Sequence, residues 1–268
     1  MLINGRTIAS EILRDVASSL SGSMPVVRAI VMQPSPATES YLHIKQIRAE
    51  EAGMHLQLIR MEDDATTEDI IAKIALAGSD AMLVQLPLPE HIDTERVLAS
   101  IPLAQDADVL SETAYQHFEQ GAEHALVPPV AGAVAEILKR AHIEVAGKRA
   151  VVVGQGKLVG RPVLALLKHL HVDAITIYRD TPDPGSVLRE ADIIVSGAGQ
   201  AHFITADMVK EGVVLIDAGT SESNGTLAGD FHPDCSAKAS VFTPVPGGVG
   251  PVAVAMLFKN VAELALKA

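Results

Sequence analysis

Tyr41 and Lys45 stand four residues apart in Ser40-Tyr41-Leu42-His43-Ile44-Lys45, a spacing that stacks phenol and ammonium on one face of a helix. A lysine can do acid–base work near neutral pH only where burial or a neighbour depresses its pKa. The pair therefore points to catalysis if that face is covered, and to an ordinary amphipathic surface if it is open. Val84-Gln85-Leu86-Pro87-Leu88-Pro89 is a strand that runs into two prolines, so the sheet ends there. Gln85 lies near its carboxyl edge, where α/β proteins place ligands. Asp106-Ala107-Asp108 follows in a loop. A carboxylate there can accept a bidentate pair of N–H donors from a heterocycle, or simply be solvated.

A second group of residues suits a dinucleotide. Val151 to Gly160 combines a buried strand, the glycines of Gly154-Gln155-Gly156-Lys157-Leu158-Val159-Gly160, and a helix whose N-terminus favours anions. The spacing is G-x-G-x-x-x-G rather than G-x-G-x-x-G, and the alternative is a glycine-rich turn with no ligand. The next strand ends in Tyr178-Arg179-Asp180. Arg179 with Lys157 suits the 2′-phosphate of NADP, whereas Asp180 suits the free ribose hydroxyls of NAD. Short-chain dehydrogenases also use a Tyr-x-x-x-Lys pair, but downstream of their nucleotide loop. Here the pair precedes the loop by more than a hundred residues, so it belongs to a separate segment. Thr243-Pro244-Val245-Pro246-Gly247-Gly248-Val249-Gly250-Pro251 is stiff and glycine-rich, fit either to line a planar ligand closely or to make a tight interdomain turn.

Those residues need a scaffold of two domains. The chain has 268 residues, 48% of them hydrophobic, enough for a sizeable core. A formal net charge of −12 leaves no basic surface for nucleic acid or anionic lipid, so neither is expected as a partner. Cys235 is the single cysteine, which excludes internal disulfides and suits a reducing cytoplasm. The N-terminus shows no export signal and no apolar run is long enough to span a membrane, so a soluble cytoplasmic protein is expected. His169-x-His171 has no matching ligands, and no metal is assigned.

Apolar residues at Ile8, Ile12, Leu13, Val16 and Leu20 predict a helix, and Val26 to Met32 a buried strand. A helix through Tyr41 and Lys45 to Gly53, a strand from Leu56 to Met61, a helix after Thr67 and a strand over 81–85 continue the alternation. A short helix follows the two prolines, then a polar stretch from Gln105 to Glu123. A second series has a helix from Gly132 to His142, a strand at 150–153, a helix over 159–170, and strands at 175–178, 193–196 and 213–217. The fold class is α/β: two α/β domains flanking a cleft, the second Rossmann-like with a parallel sheet. The expected boundaries are 1–127 for the first domain and 128–251 for the second, with an apolar helix over 252–268 packing back on the first.

Taken together, Ser40-Tyr41-x-x-x-Lys45, the run from Val84 to Pro89 and the run from Pro244 to Pro251 resemble the bifunctional methylenetetrahydrofolate dehydrogenase and methenyltetrahydrofolate cyclohydrolase family. The resemblance covers Ile3 to Ala265, with the three motifs in the family's order. It implies oxidation of 5,10-methylenetetrahydrofolate by NADP, weakly preferred over NAD, and hydrolysis of the methenyl product to 10-formyltetrahydrofolate. It also implies a homodimer. Lys45 would be the central catalytic residue, Gln85 would orient and tune it, Tyr41 would position the folate, and Asp108 would accept hydrogen bonds from the pterin. Val84, Leu86, Pro246, Gly247, Gly248, Val249 and Gly250 would line the substrate. Gly154, Gln155, Gly156, Lys157, Arg179, Asp180 and Thr220 would meet the cofactor.

The departures cluster. The family's Gly-Arg-Ser is Gly154-Gln155-Gly156 here, its Asp-Val-Asp-Gly is Asp106-Ala107-Asp108-Val109, and its Pro-Cys-Thr-Pro is Pro128-Pro129-Val130-Ala131. They leave two alternatives to the bifunctional enzyme. One is a cyclohydrolase with a decayed cofactor site; the other is a non-catalytic folate- or nucleotide-binding protein.

Overall fold

The computed structural model of the chain describes all residues except Ala77, Arg179, Asn224, Gly225 and Ala268. It divides into two compact units, one formed by Ser10–Pro129 with Val254–Ala268, the other by Met1–Ala9 with Val130–Ala253. Among the described residues, no helix is long and apolar enough to cross a membrane.

The first unit is built from α1 (Gly5–Ser19) from Ser10 onward, β1 (Val26–Val31), α2 (Pro36–Glu51), β2 (His55–Arg60), α3 (Thr67–Leu76), β3 (Ala81–Val84), α4 (Thr94–Ala99) and α5 (Glu112–Glu119). Its sheet is parallel in the order β2-β1-β3, with Val27 opposite both Leu56 and Ala81. All four residues of β3 are buried, as expected of a strand covered on both faces. Ile30, Ile70, Ile74, Met82 and Val97 form the core between this sheet and its helices.

The second unit comprises α6 (Pro129–Arg140), β4 (Arg149–Val153), α7 (Gly160–His169), β5 (Asp173–Ile177), α8 (Pro184–Glu190), β6 (Ile193–Ser196), β7 (Val214–Asp217), the short pair β8 (Ser221–Ser223) and β9 (Thr226–Ala228), and β10 (Val241–Phe242). A final helix, α9 (Val249–Ala265), ends the chain. The main sheet is parallel throughout, in the order β10-β7-β6-β4-β5. Both parallel sheets agree with the α/β class read from the alternation.

Two sequence readings are corrected. Residues 1–9 belong with the second unit rather than with 10–129. The reason is backbone pairing: Ile3 N donates to Phe242 O, Phe242 N to Met1 O and Gly5 N to Gly247 O, each at 2.9 Å. The polar stretch from Gln105 to Glu123 contains α5. Ser111 caps it by accepting from Ala114 N at 3.2 Å, and Ala114, Tyr115 and Phe118 form a buried stripe that outweighs the polar composition.

In each sheet the chain leaves its first strand to one side and then returns to pair on the other. β1 is followed by β2 and then β3 across it, and β4 by β5 and then β6 across it. The carboxyl ends of β1/β3 and of β4/β6 are therefore topological switch points, the crevices where open α/β sheets bind ligands.

Candidate active site

In the first unit the switch point gathers Tyr41, Lys45, Gln85 and Asp108. Helix α2 begins at Ser35, whose hydroxyl accepts from Thr38 N at 3.1 Å, with Pro36 in the first turn. Its buried residues are Leu42, Lys45 and Ala49, a stripe at i, i+3 and i+7 in which a lysine occupies a core position. Lys45 is only 8% exposed. Its Nζ donates to Gln85 Oε1 at 3.2 Å and lies 5.0 Å from the centroid of the Tyr41 ring, within cation–π range.

Gln85 is fixed from both ends. Its backbone N–H extends the sheet by donating to Ile30 O at 2.9 Å. Its side-chain Nε2 donates to Leu86 O at 2.7 Å, which turns Oε1 toward the lysine. The Val84 side chain, expected to line substrate, packs into the core and is 3% exposed, so only its backbone is left to face a ligand.

Burial pushes the Lys45 ammonium well below the ordinary lysine range, while the charge of Asp108 pulls the other way. Burial likewise raises the Asp108 carboxyl, with Lys45 opposing and Asp106 reinforcing the rise. The Tyr41 phenol is pushed up to about 12, by burial first and by Asp108 second. Two fifths of Tyr41 is nevertheless open by area, so the push is smaller than a sealed pocket would give; the phenol stays protonated either way. The constellation thus holds an amine whose proton is loosened by burial, beside a carboxyl group whose own ionisation burial opposes and a neutral phenol.

Asp106 and Asp108 divide the work of their loop. Asp106 is 1% exposed and accepts from Leu110 N at 3.1 Å and Ser111 N at 2.9 Å, so it folds the turn. Ala107 O accepts from Asn260 Nδ2 at 2.9 Å, clamping the loop from α9. Val109 carries φ +54, a left-handed conformation that strains a β-branched residue. The backbone around Asp108 is thus held in place by its neighbours.

In the second unit the loop from Gly154 to Gly160 joins β4 to α7. Gly154 has φ +93, and a Cβ there would sit 3.0 Å from Gly197 O. A Cβ on Gly156 would meet nothing within 4 Å, so bare backbone faces open room at the carboxyl end of β4, and α7 begins without a side-chain cap. That cradle fits a pyrophosphate. Tyr178 Oη donates to Gln155 Oε1 at 3.1 Å, tying the loop to the end of β5. Lys157, Asp180 and Thr220 are exposed; Arg179 lies outside the described residues. Pro246 to Gly250 form a tight turn in this unit, with Gly248 N donating to Pro244 O at 2.8 Å.

The sequence reading missed a buried carboxylate pair beside these loops. Asp217, 3% exposed, accepts from Gly219 N at 3.0 Å, Asp230 N at 3.2 Å and Phe231 N at 3.1 Å. Asp230, fully buried, accepts from Ser196 Oγ at 2.6 Å and from Ala198 N and Gln200 N at 2.7 Å. Gly229-Asp230 in an apolar context was the only trace of this in the chain.

Comparison with known proteins agrees with both halves. Residues 3–108 match the tetrahydrofolate dehydrogenase/cyclohydrolase catalytic domain, and residues 128–268 match the tetrahydrofolate dehydrogenase/cyclohydrolase NAD(P)-binding domain. The bifunctional protein FolD of Methanospirillum hungatei is 36% identical over 99% of this chain and 97% of its own. That of Lysinibacillus sphaericus is 34% identical over 98% and 96%. Among solved structures, the FolD enzyme of Campylobacter jejuni superposes with a TM-score of 0.96 at 30% identity, covering 100% of this chain and 99% of that one. The Trypanosoma brucei FolD structure, complexed with NADP cofactor and inhibitor, has a TM-score of 0.94 at 30% identity, covering 100% and 99%. With both halves matched and full-length relatives at up to 36% identity, this chain belongs to the tetrahydrofolate dehydrogenase/cyclohydrolase family.

Proposed function

We infer that the chain is a bifunctional enzyme of one-carbon metabolism. It oxidises 5,10-methylenetetrahydrofolate to 5,10-methenyltetrahydrofolate with NADP, and hydrolyses that product to 10-formyltetrahydrofolate. The observation that carries the assignment is the buried Lys45 amine held 3.2 Å from Gln85 Oε1 in a chain whose two halves match the family's two domains.

Hydrolysis needs a water deprotonated as it attacks the methenyl carbon. Lys45, its pKa lowered by burial, takes that proton as a free amine and returns it when the ring C–N bond opens. Gln85 Oε1 keeps the amine aimed, because an acceptor on that side fixes one N–H and leaves the lone pair for the water. Tyr41 supplies a ring face for the folate, and Asp108, whose ionisation is set by burial and by the neighbouring charges of Lys45 and Asp106, accepts N–H groups of the pterin. Oxidation needs mostly placement of two carbons. Bound NADP supplies the hydride acceptor. Gly154 and Gly156 would hold its pyrophosphate against bare backbone, with Gln155, Lys157 and Asp180 at the ribose side and Thr220 toward the nicotinamide; Pro246 to Gly250 would border the folate.

The enzyme works in the cytoplasm as a homodimer, with no nucleic-acid or membrane partner. The lone buried Cys235 supports the first point, and the second is supported by edge strand β5, which leaves Ile175 exposed. Purified protein given methylenetetrahydrofolate should reduce NADP faster than NAD at matched concentrations. Oxidation with neither would end the dehydrogenase reading, and a failure to bind either by calorimetry would favour the single-activity cyclohydrolase.

A further inference from the structure

The pair Asp217 and Asp230 is too well ordered to be filler, and neither residue has a place in the chemistry above. Asp230 sits on a segment that is itself fixed, since Ile204 N donates to its backbone O at 2.9 Å. From there its carboxylate draws in Ser196 at the end of β6 and the backbone N–H groups of Ala198 and Gln200 in the following loop. The two carboxylates interlock through glycines. A Cβ on Gly219 would run into the Asp230 carboxylate, and one on Gly229 into Asp217 Oδ2.

The loop so held is one lip of the β4/β6 switch point. Gly197 N donates to Val153 O at 3.0 Å, a Cβ on Gly197 would strike the Val159 side chain, and Gly154 packs directly on Gly197. The other lip is the Gly154-to-Gly160 cradle. Displacing residues 197–200 therefore displaces the wall against which the cradle is packed.

We propose that Asp230, backed by Asp217, is the positioning residue of the nicotinamide-dinucleotide site: it sets the 197–200 loop in register with the Gly154–Gly160 cradle, and thereby sets cofactor affinity without touching the cofactor. This rests on the reading of that cradle as the NADP site. A single backbone carbonyl could not do it, because the amides of Ala198 and Gln200 and the Ser196 hydroxyl need a common multivalent acceptor, and a carboxylate provides four lone-pair positions.

The test measures NADP affinity by calorimetry, and hydrogen exchange of the Ala198 and Gln200 amides without cofactor, in wild type, Asp230→Asn and Ser196→Ala. Replacing one carboxylate oxygen by an amide NH2 group leaves donors facing donors, so Asp230→Asn should weaken NADP binding about tenfold and expose both amides to exchange. Ser196→Ala removes a single donor and should weaken binding only about two- to threefold. Methenyl hydrolysis by Asp230→Asn should fall far less than methylene oxidation, with the loss in KM for NADP rather than in kcat. Unchanged NADP affinity in Asp230→Asn, or equal loss of both activities in step with the folded fraction, overturns the proposal. Should Asp230→Asn not fold, wild-type affinity and exchange in both Ser196→Ala and Gly219→Ala overturn it. Wild type that fails to bind NADP would instead defeat the reading of the cradle.

Discussion

The two switch points treat buried charge in opposite ways. At the β1/β3 edge, Lys45 is 8% exposed and makes one side-chain hydrogen bond among the described residues, to Gln85, and Asp108 is pushed toward its neutral form chiefly by burial. At the β4/β6 edge, Asp217 and Asp230 each receive three hydrogen bonds. A buried polar group left short of partners is costly to folding and keeps its bonding capacity for a substrate. One with three bonds on four lone-pair positions has little to spare, and its contribution is geometry. The same sheet topology thus presents a candidate reactive centre in one unit and a rigid support in the other.

The strongest way to break that contrast is to remove the underpaired groups. Lys45→Met should lower methenyl hydrolysis by roughly a thousandfold, the scale of a lost general base, while NADP affinity stays at the wild-type value. Stopped-flow loss of methenyl absorbance decides it, and a variant retaining a tenth of the rate would remove Lys45 from its role. Asp108→Asn should raise the folate KM about tenfold in both reactions, since one acceptor becomes a donor toward the pterin. An effect on one reaction alone would place Asp108 in chemistry rather than binding.

Stability separates the two edges with opposite signs. Lys45→Met removes a charge that folding desolvates and should stabilise the protein by about 1–2 kcal/mol at pH 7. Because burial lowers the folded-state pKa of Lys45, wild type recovers that deficit as pH rises toward the unfolded lysine value, and the gain should shrink accordingly. Asp230→Asn should destabilise by about 3 kcal/mol, leaving amide donors unsatisfied in the interior. Denaturant melts of both variants at pH 7 and 9.5 test the signs; a destabilised Lys45→Met would mean that its partners satisfy the cation after all.

Much of this was legible in the chain because periodicity reports directly on burial. Uninterrupted apolar runs such as 150–153 and 193–196 gave strands within a residue of their observed ends, and the glycines and prolines marked the carboxyl ends of β3 and β4. Lys45 stood out as a candidate through its company, with Tyr41 four residues before it and the runs Val84–Pro89 and Pro244–Pro251 in the resembled order; that it occupies a core position in the stripe Leu42, Lys45, Ala49 came only from the fold. The support residues were not legible, because their bonds span long separations. Asp230 reaches residues 30 to 34 positions away, and the pairing of residues 1–5 with 242–247 closes nearly the whole chain; no local period encodes either. The strain at Val109 was half visible, as a valine where the resembled motif carries glycine, but its φ of +54 needed coordinates.

The finest test of the contrast lies in Asp217, the saturated carboxylate that still titrates. Burial, reinforced by Asp230, raises its pKa from 3.8 to about 7 although Phe231, Asp230 and Gly219 N–H groups oppose the rise. In the unfolded chain Asp217 ionises above 3.8, so between that value and about 7 the folded state holds the extra proton. The stabilisation this gives is complete at low pH and is lost as pH rises through 7. From pH 6 to 8 wild type should therefore lose on the order of 1 kcal/mol that Asp217→Asn, with nothing to ionise, does not lose. The variant starts lower, because its amide opposes an N–H it should accept. Its melting temperature should nonetheless gain on wild type by about 2–4 °C across that range. Parallel curves would mean that three hydrogen bonds suffice to keep Asp217 ionised throughout, and the division between underpaired and saturated charge would then be complete.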